Sequence, residues 1–423
     1  LLSSHDEKID SVETDKFGAY EPWLSKTGYV FTCIFFLASF LSKAALNISG
    51  GLVLLCALIY VMLYGRNVLK DVCGLKYLIV PACIGAVVAL FSNDGGPVAS
   101  LEFLNRMKFL FVPFFLGVFV RSRKQLYVVV TCLVISGLLA TLYGFWNSYQ
   151  LQFGQFHGYY KLDRSASLIL TMCLALMAIL LEGWRDMSGK WRWVLLGLAV
   201  LFHWQLVMCS IRGAWLGYVV GVVLILLAIR SRMVVSFFAV VVVGLALVGA
   251  GNNPIKNEVV SIFDLKTNAS NNARLHLWRG GLDFSKEQLL FGAGVKGVKK
   301  QYAEFFSKQS DAYKKTYHYA DKFHADFHNN YIQILVESGL LTLAALLGGF
   351  GGLLWLLYKK IATVSGLERG VVLAAFSVTG GFLVKQFFHM QLTSYGSVAF
   401  YLVLFAGMSF ASMEYECTPP TDE

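Results

Sequence analysis

The stretch SIRGAWLGYVVGVVLILLAI, residues 210–229, decides how this chain is to be read. No charge falls between Gly213 and Ile229, and arginines stand at both ends, Arg212 and Arg230. An apolar run of nearly 20 residues bounded by cations has the form of a membrane-spanning helix. The same form recurs along the chain, near 28–46, 48–64, 77–92, 107–120, 125–145, 165–182, 192–209, 213–229, 233–250, 338–358, 370–388 and 396–413. At about 20 residues each, these twelve spans take up more than half of the 423 residues. Composition agrees: 57% of residues are hydrophobic, 15% are charged, and the mean hydropathy is +0.60. A soluble domain carries roughly 45–50% apolar and about 25% charged residues. Disordered, collagen-like and ordinary soluble classes are thereby excluded, and seven prolines exclude a Pro-rich linker architecture. The expected fold class is an all-α polytopic membrane protein of about twelve transmembrane helices.

Eight cysteines (Cys33, Cys56, Cys73, Cys83, Cys132, Cys173, Cys209, Cys417) form no C-x-x-C pair. They give neither a disulfide framework nor a zinc site. Residues 1–26 are polar and lack the regions of a cleavable signal peptide. Lysine and arginine in short connectors set the expected orientation. The basic connectors carry Arg66, Lys70 and Lys76; Arg121, Arg123 and Lys124; Arg185, Lys190 and Arg192; Arg230 and Arg232; Lys359, Lys360 and Arg369. All come after even-numbered spans, which places them in the cytoplasm with both termini. The expected division is a cytoplasmic segment 1–27, spans one to nine over 28–250, an outward loop 251–337, spans ten to twelve over 338–413, and a cytoplasmic tail 414–423.

The loop 251–337 carries twelve Lys/Arg against nine Asp/Glu and is too long to be idle. Val259, Ile262 and Phe263, and again Leu275, Trp278 and Leu282, have helical spacing. They predict a small helical cap on the membrane domain.

Three outward-facing places carry polar residues costly to set near apolar sequence. Arg212 opens the eighth span, where free N–H groups and the helix dipole favour an anion and Gly213 and Ala214 permit close approach; snorkelling to headgroups is the plainer role. In NNARLHLWR (271–279), Arg274 and Trp278 share a helical face. A phosphate-binding arginine and a solvated arginine over a tryptophan both fit. In HADFHNNYIQILVESGL (324–340), His324 and His328 are four apart, with His318 nearby. A zincin helix needs Glu after the first histidine, and position 325 is Ala. His328 suits a general base that Asp326 or Glu337 could orient, and an ordinary loop histidine is the alternative. No D-x-D occurs, so the pyrophosphate–metal bridge of soluble nucleotide-sugar glycosyltransferases has no obvious ligands; no Walker A, G-x-G-x-x-G after a strand, or G-x-S-x-G occurs, which removes ATP, dinucleotide and serine-hydrolase readings.

The runs HNNYIQILVESGLLTL (328–343), SIRGAWLG (210–217), NARLHLW (272–278) and LLFGAGVKGV (289–298) resemble the O-antigen ligase superfamily. That superfamily includes O-antigen ligases, O-antigen polymerases and protein O-oligosaccharyltransferases. The resemblance implies a twelve-span GT-C-type glycosyltransferase of the Gram-negative inner membrane with a periplasmic site. It implies a glycan donor on undecaprenyl pyrophosphate and lipid A–core as acceptor. It needs no metal or other cofactor and no nucleic acid, and implies a monomer. His328 matches the family's H-N-x-Y histidine, with Asn329 and Tyr331 of the same motif as substrate-binding candidates. Arg212 matches the arginine of S-R-G, although Ile211 separates it from Ser210. Arg274 matches the loop arginine before the tryptophan. Arg106 and Lys108, at the outer end of the fourth span, are further candidates for holding pyrophosphate. No family role transfers to 150–164, with His157, Lys161, Asp163 and Arg164. Polymerase, protein O-oligosaccharyltransferase and an anionic-lipid transporter remain as alternatives to ligase.

Overall fold

The computed structural model describes residues 22–64, 74–150, 162–229, 261, 264, 268–320, 326–390, 392 and 394–412. The ninth apolar stretch (233–250), Arg66, Lys70, Arg230, Arg232, His157, Lys161, His324 and the Val259–Ile262–Phe263 pattern lie outside them. Among the described residues the structure is helical, without strands.

The helices are α1 (Pro22–Ala38), α2 (Lys43–Tyr64), α3 (Lys76–Ala89), α4 (Pro97–Arg106), α5 (Val112–Phe119), α6 (Arg123–Gln150), α7 (Leu162–Gly183), α8 (Gly189–Met208) and α9 (Arg212–Ala228). They continue as α10 (Ala269–Ser285), α11 (Val298–Ser307), α12 (Asp311–Thr316), α13 (Asn330–Ile361), α14 (Gly366–Lys385) and α15 (Val398–Ser412). Six of these, α2, α6, α7, α8, α13 and α14, are long and apolar enough to cross a membrane. The apolar stretches of α1, α3, α5, α9 and α15 are shorter. The fourth stretch is short because Lys108–Phe111 forms a 3₁₀ turn before Pro113 opens α5.

Apolar side chains lie on both sides of the bundle helices. Those facing out, such as Leu55 and Met62 on α2 or Trp193 and Val200 on α8, are exposed, as on a surface that meets lipid rather than water. The most enclosed pair is α7 and α14, and α9 crosses α14. At that crossing a Cβ on Gly217 would lie 2.5 Å from the Gly381 carbonyl oxygen, and one on Gly381 would lie 2.5 Å from Gly217 O. Two facing glycines therefore let the backbones touch, which sets the start of α9 near the end of α14.

Charges gather at one end of the bundle. Arg123 pairs with Glu368 at 2.7 Å and Arg369 with Glu182 at 3.5 Å, while Asp186 accepts the Leu367 N–H at 2.8 Å. The connectors after the fourth, sixth and tenth stretches thus share an end.

At the other end α10–α12 and the first turns of α13 enclose a second apolar core of Leu277, Phe284, Val298, Tyr302, Phe305, Phe306, Phe327, Ile332 and Val336. The helix expected from Leu275, Trp278 and Leu282 exists, but its inward face is different. Leu275 and Leu282 are exposed, and Leu277, Gly280, Gly281 and Phe284 are buried. The glycines explain this, because they leave room for the Tyr302 hydroxyl and the Phe327 ring, which a spacing of large residues does not register.

The cap joins the bundle at a kink. Within α13, Gly339 has φ 76° and ψ 175°, a conformation open to glycine. The break removes helical partners from backbone groups, and the segment after α10 replaces them. Ala293 N–H donates to Val336 O at 2.8 Å, Gly294 N–H to Glu337 O at 3.0 Å, and Leu340 N–H to Leu289 O at 2.8 Å. A side chain at Gly292 would meet Ser338 N at 2.5 Å, and one at Gly339 would strike the Leu290 carbonyl. The first turns of α13 therefore belong to the cap and the remainder to the bundle. Gly339→Ala should cost about 1–3 kcal/mol through strain at this φ, read as a lowered melting temperature of the detergent-solubilised protein. An unchanged melting temperature would refute the docking role of the kink.

Candidate functional site

The residues singled out by sequence start from helix ends. Arg212 is the first residue of α9, preceded by Ser210 at φ 50° and an extended Ile211. The N-cap residue Ile211 makes no side-chain capping bond, and the first N–H groups of α9 carry the positive end of the helix dipole. Arg212 Nη1 donates to Asn271 Oδ1 at 2.9 Å and to Ser261 O at 3.3 Å. The same Asn271 donates through Nδ2 to Ser261 O and Asp264 O at 2.6 and 2.8 Å. One carboxamide in the first turn of α10, itself N-capped by Asn268, thus fixes the Arg212 guanidinium.

Arg274 lies three residues after Asn271 on α10, hence on the same face. Burial first, then the Arg212 charge, pulls its guanidinium below the usual range, and Asp326 partly restores it. Among the described residues Arg274 has no hydrogen-bond partner. Two guanidinium groups within electrostatic reach repel each other, and an anion between them would remove that cost.

His328 comes after the cap core at φ 51°, exposed, with its backbone N–H donating to Asp326 Oδ1 at 2.6 Å. Asp326 therefore holds the main chain of His328 and also faces Arg274. Asn329 is buried as the N-cap of α13, accepting from Tyr331 N–H and Ile332 N–H at 3.0 and 3.2 Å. The Tyr331 hydroxyl donates to Leu383 O at 2.6 Å, and its ring lies against Phe387, 4.5 Å between centroids. Both side chains shape the backbone around His328.

The other carboxylate offered for His328 turns elsewhere. Glu337, 4% exposed, accepts from Arg106 Nη2 at 2.7 Å and from Gln333 Nε2 at 2.7 Å. Gln333 Oε1 in turn accepts the Phe327 N–H at 3.0 Å. Arg106, at the end of α4, thus ties the bundle to the kinked helix. Lys108 reaches Asn47 Oδ1 at 3.4 Å and lies over the Phe109 ring. His318 packs against His276 and Tyr319 on the cap, with centroids 5.2 and 4.2 Å away.

A fourth segment meets these, and sequence reasoning missed it. It is Lys385-Gln386-Phe387-Phe388-His389, the last residue of α14 and the four beyond it. Gln386 O accepts the Asn330 N–H at 2.9 Å. Phe388 fills the space that a Cβ on Gly213 would need, 2.8 Å away, and its ring is 6.4 Å from that of Trp278. Buried Lys385 donates to the Ser167 hydroxyl of α7. His389 is half-buried, and burial first, then Lys385, Arg274 and His328, hold its imidazole well below the usual range. It is therefore neutral near pH 7. The missed signal was in plain view, since an ionisable residue inside an apolar stretch is a functional candidate by default, and Lys385 lies in 370–388.

Residues 196–347 match the family model described as O-antigen ligase. Over that segment the chain is similar to the O-antigen ligase family. The match supports a function like that of an O-antigen ligase or polymerase, in keeping with the apolar helices. A search of curated proteins finds no match. The matched segment holds Arg212, Arg274 and His328, and ends before Lys385 and His389.

The Arg106–Glu337 pair gives a separable structural prediction. Arg106→Met leaves a buried carboxylate without its cation and should destabilise the protein by about 3 kcal/mol, seen as a lowered melting temperature. Adding Glu337→Gln to the same chain should recover most of the loss. A double variant as unstable as the single one would refute the pairing.

Proposed function

We propose that this protein is an O-antigen ligase that moves a glycan from undecaprenyl pyrophosphate to a sugar hydroxyl of lipid A–core. In this reading the chain is a GT-C-type enzyme of the Gram-negative inner membrane, with twelve spans, both termini in the cytoplasm and the cap in the periplasm. The observation that supports it is the approach of Arg274 to Arg212 at the start of α9, with Asp326 beside Arg274 and holding the His328 N–H. These lie at the end of the bundle opposite the basic connectors.

The chemistry derives from the residue types. Pyrophosphate leaves readily once its charge is offset, so the main task is electrostatic. Arg212, Arg274 and the N–H groups opening α9 would hold its oxygens in a partly dehydrated site. The cost of bringing the two arginines together is incurred on folding, so the site needs little reorganisation when the donor arrives. His328 would take the proton from the acceptor hydroxyl as the oxygen attacks the anomeric carbon. The glycosidic bond to pyrophosphate breaks as the new one forms on the opposite face, which inverts the configuration. A positioned base contributes about 10²–10⁴-fold to such a step. His328 is exposed, so an acceptor could reach its imidazole. No step calls for a metal.

With purified donor and lipid A–core in detergent, His328→Ala should abolish transfer while donor binding persists. Arg274→Ala should weaken donor binding and transfer together, and EDTA should leave wild-type transfer unchanged. Full activity in the His328 variant would remove the general-base role. Loss of transfer in EDTA, restored by a divalent ion, would overturn the metal-free mechanism. Offering a second lipid-linked glycan as acceptor separates the alternatives: preferential extension of that glycan marks a polymerase. Movement of lipid without a new glycosidic bond marks a transporter.

A further inference from the structure

His328 sits on a backbone that no helix holds and that its own side chain disfavours. Its φ of 51° lies in the left-handed region, which among the described non-glycine residues it shares with Ser210 alone. A residue strained in this way persists only where its surroundings over-determine it. Here they do so bond by bond. Asp326 Oδ1 accepts the His328 N–H at 2.6 Å, the Asn329 carboxamide accepts those of Tyr331 and Ile332, and Gln386 O accepts that of Asn330. All of these act on His328 or beyond it. On the side before it, the Phe327 N–H donates to Gln333 Oε1 at 3.0 Å. Gln333 is buried, and its Nε2 donates to Glu337 Oε1 at 2.7 Å. That same oxygen accepts from Arg106 Nη2 at 2.7 Å. A continuous line of hydrogen bonds thus runs from the end of α4, through two buried side chains one turn apart on α13, to the main chain one residue before His328.

Packing alone does not account for this line. Ile332, Ile334 and Val336 beside Gln333 are buried and apolar. An apolar residue at 333 would suit such surroundings without desolvating a carboxamide, a carboxylate and part of a guanidinium. What it could not do is accept the buried Phe327 N–H, which lies outside any helix and must be matched. We infer, resting on the assignment of His328 as the base, that Gln333 is a positioning residue for His328, and that Glu337 and Arg106 hold it in place. The relay ties the backbone that carries the imidazole to α4 of the bundle. None of the three side chains touches the reacting atoms in this role. Without the relay, the strained turn is released on its N-terminal side and relaxes, and the imidazole is carried away with it.

Transfer by the detergent-solubilised full chain tests this, with donor binding and melting temperature measured for each variant. Gln333→Met, apolar and of similar length, should lower kcat roughly ten- to a hundredfold, the scale of a misplacement of about 1 Å. Its donor binding should stay within a few-fold of wild type, because Arg212 and Arg274 lie on other helices. Gln333→Asn keeps the polarity but is one methylene short of bridging Phe327 and Glu337, so its kcat should fall similarly. Glu337→Gln still offers an oxygen to Gln333 and should lose far less than Glu337→Leu. Phe305→Leu loosens the cap core without touching the relay; at a comparable loss of melting temperature it should keep kcat within a few-fold. Wild-type kcat in both Gln333 variants, equal losses in the two Glu337 variants, or a matching loss in Phe305→Leu would overturn the inference alone. Full transfer by His328→Ala would overturn the base assignment and the inference together.

Discussion

Three backbone hydrogen bonds at the Gly339 kink hold the molecule's two parts in register. Apolar helices in a bilayer must satisfy their own main chain, because lipid offers no partners. A break in α13 would therefore be costly unless another segment supplied donors and an acceptor, and Leu289–Gly294 does so. The exchange requires close backbone contact, which is why glycine occupies both 292 and 339. With the joint in place, the first turns of α13 can pack in the cap while the rest packs in the bundle. His328 is carried at the head of the same helix, so its position is set by the joint as much as by its own loop.

The second constraint is the gathering of positive charge. Arg212, Arg274 and Lys385 come from three helices that end near one place, and each would be more comfortable apart. Packing holds them there: Gly217 against Gly381 fixes α9 on α14, and the Tyr331 hydroxyl and the Asn330 N–H bind α13 to the end of α14. The polar contacts are selective. Arg212 is braced by Asn271, a neutral partner, whereas Arg106 is matched with a carboxylate. A neutral brace aligns a guanidinium without cancelling its charge. The charge of Arg106 is offset by Glu337, which suits a role in holding the cap.

Much of this was legible in the amino-acid sequence, for identifiable reasons. Apolar runs mark membrane-spanning helices because the bilayer imposes length and composition directly, and the six longest apolar helices coincide with six of those runs. Arg212 could be singled out because it interrupts apolar sequence, whereas the roles expected of Arg274 and His328 came from the family resemblance. Contacts that join distant segments were not legible. The pairing of Glu337 with Arg106, 231 positions apart, has no local signature. The inward face of α10 was misassigned because close packing there depends on Gly280 and Gly281, and hydrophobic spacing is blind to what a missing side chain allows. Lys385 drew no attention in the sequence because its burial, which sets it apart from a lysine at a helix end in water, is visible only in the packed structure.

That distinction bears on why such a site spans both a bundle and a cap. A lipid-linked donor has an apolar tail that belongs between helices and a charged head that belongs outside them. The bundle alone can offer helix ends and buried cations, but it has no means of drying a face open to water. The cap alone can exclude water, but it has no hold on a lipid. On the proposed function, Arg212 on a bundle helix, braced by Asn271, and Arg274 on a cap helix would grip the head group from both sides at the boundary where its own polarity changes. The electrostatic interaction is strongest there as well, because the low dielectric of packed helices on one side and of the apolar cap core on the other limits screening. A cap that opened by breaking the Gly339 joint would separate Arg274 from Arg212 and lose both effects at once. On the proposed function, the geometry of the joint and the strength of an anion site between these arginines would be a single design problem.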